Sequence, residues 1–299
     1  MKFSVRQNVL PLLAALIWGF AFVAQSIAAD SVPPLAFNAA RCFVGMIVLF
    51  LLILVIKKTS ITGADDAEFK ITPELIKGGV ACGTALAVAS ALQQYGLAYV
   101  SVGKAGFMTA LYIVLVPIFG VFLGKKVRGM LWISVLLATF GLYFLCVKEE
   151  FKIEPIDTIM LLCSVVFTFH ILLIDKYSAR VNGICLSCAQ FVVAFIICAV
   201  LSFFTEDFVI SDLKNCIVPL LYMGILSSGV AYTLQIVAQR GTDPTVVSLI
   251  LSLESVISVI AGALILHEKL MPREYLGCVF MMGAVILAQL PERKKKTEE

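Results

Sequence analysis

Charge is what this sequence has least of. Of its 299 residues only 14% are charged, against about 25% in a soluble domain, while 61% are hydrophobic and the mean hydropathy is +1.01. A soluble core with a hydrated surface is excluded. Histidine is nearly missing too, with His170 and His267 alone. His267-Glu268 begins like a zinc-protease motif, but position 271 is Met where the second His would stand, so no metal site is expected. No glycine-rich nucleotide loop exists, which excludes ATP-driven transport by this chain alone. Neither a carboxylate pair at a span end nor a nucleophile with its base is found, which argues against an enzyme. The net charge of +3 implies no nucleic-acid partner. Cysteine is not scarce, at nine, yet none staples an outer loop. Cys185-Leu-Ser-Cys188 has metal or redox spacing but no neighbouring ligands, and reads as small packing residues.

What is there is apolar length. Ten runs fall at roughly 8–28, 35–56, 75–98, 105–123, 130–147, 157–175, 184–203, 216–238, 246–266 and 274–290, each near the 20 residues that cross a bilayer. In lipid every backbone N–H and C=O must be satisfied internally, so these runs are predicted to be helices. The expected fold is an all-α membrane protein of ten transmembrane helices. The first run exceeds the 7–15 residues of a signal h-region, so it is read as a span and not a cleaved leader. With ten spans, 16 of the 23 Lys and Arg fall on the side of the N-terminus, six on the other, and Arg41 lies inside a span. Both termini are therefore expected in the cytoplasm, and the integral protein in a bacterial plasma membrane. The tail 291–299, basic through Arg293 to Lys296, reads as an inside anchor; a lipid head-group contact is the alternative.

The sequence also echoes itself, and repeats decide the architecture before anything else. An offset of 142 positions places Gln93 on Gln235, Tyr112 on Glu254, Gly120 on Gly262 and Gly141 on Gly283. Earlier in the chain the offset is 149, placing Trp18 on Phe167, Phe20 on Phe169 and Arg41 on Gln190. The longer linker 57–74, compared with 204–215, absorbs most of the difference. Two units follow, residues 1–147 and 148–290. Each holds an odd number of helices, so the second enters the membrane inverted, the architecture of secondary transporters with a site near the midplane.

Several motifs sit at matching places along almost the whole chain: Leu16-Ile17-Trp18-Gly19-Phe20, Ala40-Arg41, Gln93-Gln94-Tyr95-Gly96-Leu97 through Lys104-Ala105-Gly106-Phe107 to Pro117, Ala231-Tyr232-Thr233-Leu234, and Leu253-Glu254 with His267-Glu268-Lys269. In these the sequence resembles the EamA-like permeases of the drug/metabolite transporter superfamily. The resemblance implies a ten-helix bundle with a central cavity and export of metabolites, often amino acids or amphipathic compounds. Two departures are visible. The family's Glu-Pro in the ninth helix is Glu254-Ser255 here, which puts a proline kink there in question, and Lys125-Lys126 stands where many members carry a Glu. The small multidrug exporters built from four-helix subunits would place an acid in the first helix, and positions 8–29 hold none.

Helical spacing nominates the cavity wall. Ser228, Tyr232, Gln235 and Gln239 fall on one face of the eighth span; Trp18, Phe22 and Gln25 on one face of the first; Ser90, Gln93 and Gln94 on the third; Thr109 and Tyr112 on the fourth. Such groups either bond between helices or line a cavity. Ionisable residues inside spans are Arg41, His170 and Glu254, each costly enough to need a partner or a task. Glu254 lies about 12 Å into its span at 1.5 Å per residue, near the midplane, where it could bind an amine, take a proton or serve as a structural carboxyl. Arg41, about 9 Å in by the same rise, either snorkels to the outer interface or clamps a substrate carboxylate. His170 is either a titrating group or a packing residue. The candidate substrate-binding set is therefore Trp18, Phe22, Gln25, Arg41, Gln93, Gln94, Tyr112, His170, Tyr232, Gln235 and Glu254. No cofactor is called for.

Gly79-x-x-x-Gly83 and Gly120-x-x-x-Gly124 are read as close-packing signals, as are Ser248, Ser252, Ser255 and Gly262. None decides whether a homodimer forms. The expected partners are a small-molecule substrate and the lipid bilayer. The competing function is a membrane-embedded enzyme acting on a lipid-linked substrate.

Overall fold

The computed structural model describes residues 5–59, 69–146, 154–265 and 271–290. They form ten helical rods: α1 Gln7–Ala29, α2 Pro34–Thr59, α3 Pro73–Leu97, α4 Val102–Phe122, α5 Gly129–Cys146, α6 Pro155–Ser178, α7 Gly183–Thr205, α8 Ile210–Gln239, α9 Pro244–Ile265 and α10 Pro272–Ala288. Eight are long and apolar enough to cross a membrane; α5, at 18 residues, and α10, at 17, are the short ones. Large apolar side chains such as Phe50, Phe122, Phe203 and Phe204 stand on the outside of the bundle, the surface that lipid covers. The motif His267-Glu268-Lys269, position 148, where the second unit begins, and the tail 291–299 lie outside the described residues.

Local sequence fixes the ends. Proline occupies the first turn of α2, α3, α6, α9 and α10, where its missing N–H costs nothing. Thr72 caps Leu75, Asn182 caps Ile184 and Cys185, and Asp243 caps Thr245, each satisfying backbone donors the helix start leaves open. The start of α2 is capped from afar: both carboxylate oxygens of Glu206, just beyond α7, accept from Leu35 and Ala36 N–H at 2.8 Å.

α5 packs most extensively on α10, α3 on α6 and α7, α2 on α7, and α1 on α8 and α9. Small residues let these backbones approach. A Cβ added at Gly83 would sit 2.6 Å from the Gln190 carbonyl oxygen, and one at Gly79 2.7 Å from Ala189 Cβ, so that pair is a packing motif of α3 on α7. The second glycine pair is not. Gly124 has φ +81° with open space around it and makes the turn after α4, a backbone state that glycine alone adopts freely. Ion pairs join the start of α4, and the turn after its end, to α6: Lys104 to Asp157 at 2.7 Å and Lys125 to Asp175.

Three rods are irregular. α4 is interrupted at Leu111 and α9 at Ser252, within one residue of each other on the 142 offset. In α4, Pro117 removes the N–H owed to the carbonyl of Ile113 and its ring crowds that carbonyl. α9 is interrupted without proline. The hydroxyls of Ser248, Ser252, Ser255 and Ser258 each donate to the carbonyl three residues earlier, at 2.7–2.9 Å, and such back-bonding bends helices. α8 is π-helical over Tyr222–Ala231, the form with i→i+5 bonds that concentrates at functional places.

Candidate functional site

The two helix breaks meet at the centre of the bundle. There Tyr112, first residue after the break in α4, donates its hydroxyl to Glu254 Oε1 at 2.9 Å, and both side chains are buried. A cavity adjoins them. Sixteen residues line it, and twelve of these form six pairs on the two sequence offsets. Trp18 with Phe167, Ala21 with His170 and Phe22 with Ile171 are 149 apart; Gln93 with Gln235, Thr109 with Leu251 and Tyr112 with Glu254 are 142 apart. Gln25, Arg41, Ser227 and Tyr232 complete the wall.

Aromatic rings form one side. Tyr232 contacts Trp18 at 4.7 Å between ring centroids, Phe191 at 5.5 Å and His170 at 5.8 Å, all edge to face. His170 Nε2 is 3.0 Å from Gln190 Oε1, so it is a bonded packing residue that also faces the cavity. On another side, Gln25 Nε2 donates to both Gln93 Oε1 and Gln94 Oε1 at 3.1 Å, Gln94 returns a bond to the Gln25 carbonyl at 3.0 Å, and Gln93 donates to Thr109 at 3.3 Å. This amide chain ties α1, α3 and α4 together.

Ten of the eleven candidate residues line the cavity. Gln94 does not: it stands behind Gln25, its amide spent on the α1 contact. Ser90 and Gln239 also lie off the wall, and Gln239 donates to the Ile171 carbonyl. Ser228 is turned away as well, packing against Gly45, and Ser227 takes its place. The cause is the π segment, whose longer turn puts the residue five before Tyr232, and not four, on the same face. Arg41 does not snorkel; it is 1% exposed and faces the cavity. Ala21, Phe167, Ile171 and Leu251 escape sequence reasoning because they are apolar among apolar neighbours. The repeat offset finds all four, since each is the counterpart of a polar or aromatic wall residue.

With this geometry in view, comparison with known proteins is informative. The sequence pattern of the EamA-like transporter family matches residues 7–147 and, a second time, 155–290. The chain belongs to that family. A protein of Archaeoglobus fulgidus described as an uncharacterized transporter is 34% identical over 280 residues, covering 93% of this chain and 84% of its own. YoaV of Bacillus subtilis, likewise described, is 22% identical, covering 94% of this chain and 96% of its own. A crystal structure sharing 16% identity superposes with a TM-score of 0.77 over 95% of this chain and 96% of its own, which shows a shared fold. The EamA-like protein is thus a membrane transporter with an all-helical fold, acting on small molecules within a bilayer.

Proposed function

We propose that this EamA-like protein is a secondary transporter that exports small metabolites, such as amino acids or amphipathic compounds, by alternating access. Its two inverted five-helix repeats, 1–147 and 148–290, rock about the shared cavity, and α5 and α10 complete a count of ten crossings. Both termini, with the basic tail 291–299, face the cytoplasm. The observation that carries this reading is the pairing of the wall: six matched positions from the two halves face one central cavity, as expected where inverted repeats share a midplane site. Two consecutive family matches, over 7–147 and 155–290, support this reading.

The ten candidate residues on the wall contact substrate, offering aromatic surface, amides and the three ionisable groups Arg41, His170 and Glu254, and Gln94 positions Gln25. The alternative of an enzyme finds little support, because the cavity's histidine is bonded to Gln190 and not to a hydroxyl or thiol. A substrate-library screen of uptake and efflux in proteoliposomes, with and without a pH gradient, tests the proposal. Gradient-dependent movement of at least one compound, abolished in Tyr232→Leu at normal levels of folded protein, is expected. Movement of none of the library would bring the transporter reading down.

A further inference from the structure

We infer that the cavity takes a small organic anion, its carboxylate seated on the Arg41 guanidinium and the Trp18 indole N–H. This rests on the transporter reading and names the charge class of its substrate. Arg41 is the observation from which it starts. The side chain is 1% exposed, and its Nε and one terminal nitrogen, Nη2, are buried without a hydrogen-bond partner. No ion pair joins it to a carboxylate among the described residues; Glu254, the carboxylate on the same cavity wall, accepts from Tyr112 instead. A guanidinium is always charged, and a buried charge without a counter-ion is a state that proteins avoid unless something fills it.

The matched half shows what is missing. Position 41 corresponds to Gln190 and position 21 to His170. Gln190 Oε1 has His170 Nε2 as its partner at 3.0 Å, while Gln190 Nε2 is buried without one. Where that histidine would stand beside Arg41, the chain has Ala21, a wall residue too short to reach it. Arg41 thus lacks the side-chain partner that Gln190 Oε1 has, and both Arg41 and Ala21 line the cavity. Trp18 adds a second donor of the same kind: its Nε1 is buried and unpartnered. Trp18 stacks edge-on against Tyr232, and both line the cavity with Arg41, so the two donors face one space. On the same cavity wall Gln235 Oε1 is an acceptor without a partner, suited to a donor elsewhere on the ligand. Two unpaired donor groups, one of them cationic, against one unpaired acceptor specify an anion. A cationic drug would meet Arg41, and a neutral amphiphile would leave it unpaired. The planar fork of arginine fits a carboxylate with two parallel bonds.

The test is binding to the full-length protein purified in detergent, read by calorimetry and thermal shift. The probes are acetate, benzoate, phenylacetate and indole-3-acetate, each beside its amide, with benzylammonium as the cation. At least one carboxylate should bind tenfold or more tighter than its amide, and benzylammonium should not bind. Arg41→Met should erase the preference. Trp18→Phe should weaken the carboxylate severalfold and leave the amide unchanged, and it decides the matter if Arg41→Met does not fold. Amide or ammonium binding as tight as the carboxylate, no carboxylate binding, or a preference untouched by these variants overturns the inference. Amide binding that is lost in Gln235→Leu would do so while leaving the cavity as a transport site, whereas the transporter reading falls only on the proteoliposome screen.

Discussion

Gln93 and Gln235 are the same residue at matched positions of the two halves, yet their surroundings differ. Gln93 is wired on both ends, accepting from Gln25 and donating to Thr109. Gln235 is equally buried but keeps a carbonyl oxygen with no partner. At another matched pair it is the first half that stands open: Gln190 Oε1 has His170 as its partner, whereas Arg41 has none at Nε or Nη2. Duplication supplied the frame, and chemistry sits where one half leaves unpaired what the other half pairs.

The largest way to break this comparison is topological. If the halves are inverted, a single Cys placed at position 30, or at 152 outside the described residues, on a Cys-free background is labelled from outside, while 126 and 180 stay protected until the membrane is opened. Labelling of position 126 in intact cells would end the matching of the halves. Next in size is Glu254→Gln, which keeps the shape of the Tyr112 contact and removes the ionisation. Transport should fall tenfold or more and lose its response to a pH gradient at normal membrane abundance; unchanged rate and pH profile would make Glu254 structural.

Gly141 and Gly283 sharpen the comparison through packing. A Cβ at Gly141 would lie 2.9 Å from the Met281 backbone nitrogen and 3.0 Å from the Gly277 carbonyl oxygen, whereas one at Gly283 has nothing closer than Leu137 Cδ2 at 3.6 Å. Gly141→Ala should cost about 1–3 kcal/mol by overpacking, and Gly283→Ala should be neutral or slightly stabilising, as Ala is the better helix former. Thermal melts in detergent read both. The smallest expected effect separates the glutamines. Gln25→Leu strands the carbonyls of Gln93 and Gln94 and should lower stability by about 1–2 kcal/mol, between the membrane average for an interhelical bond and the cost of a stranded group. Gln235→Leu should leave stability nearly unchanged and alter selectivity; equal melting losses in the two would mean that both amides are merely structural.

Much of the frame was legible in the chain. The apolar runs end within a few residues of most rods, because length and hydropathy leave a spanning segment no other form. The wall was legible wherever a polar or aromatic residue interrupts an apolar face, which is why Trp18, Gln25, Tyr112, Tyr232 and Glu254 were found together. Two things were not. Helical spacing assumes 3.6 residues per turn, so the π segment of α8 displaced Ser228 without any signal at that residue. Partnering is a matter of distance, so nothing in the sequence tells that Gln94 is spent on Gln25 or that Arg41 has Ala21 where a bonded histidine could stand.

The matched breaks in α4 and α9 are made of different materials. A pyrrolidine ring, that of Pro117, follows the first, and no rearrangement of hydrogen bonds can restore the N–H it lacks. Serine hydroxyls set the second, and each can let go of its carbonyl by a turn about one side-chain bond, returning that acceptor to the helix. Of the two breaks, the one in α9 is therefore the one whose side-chain bonds can be exchanged, and it lies on the side of the cavity that bears the carboxylate of Glu254.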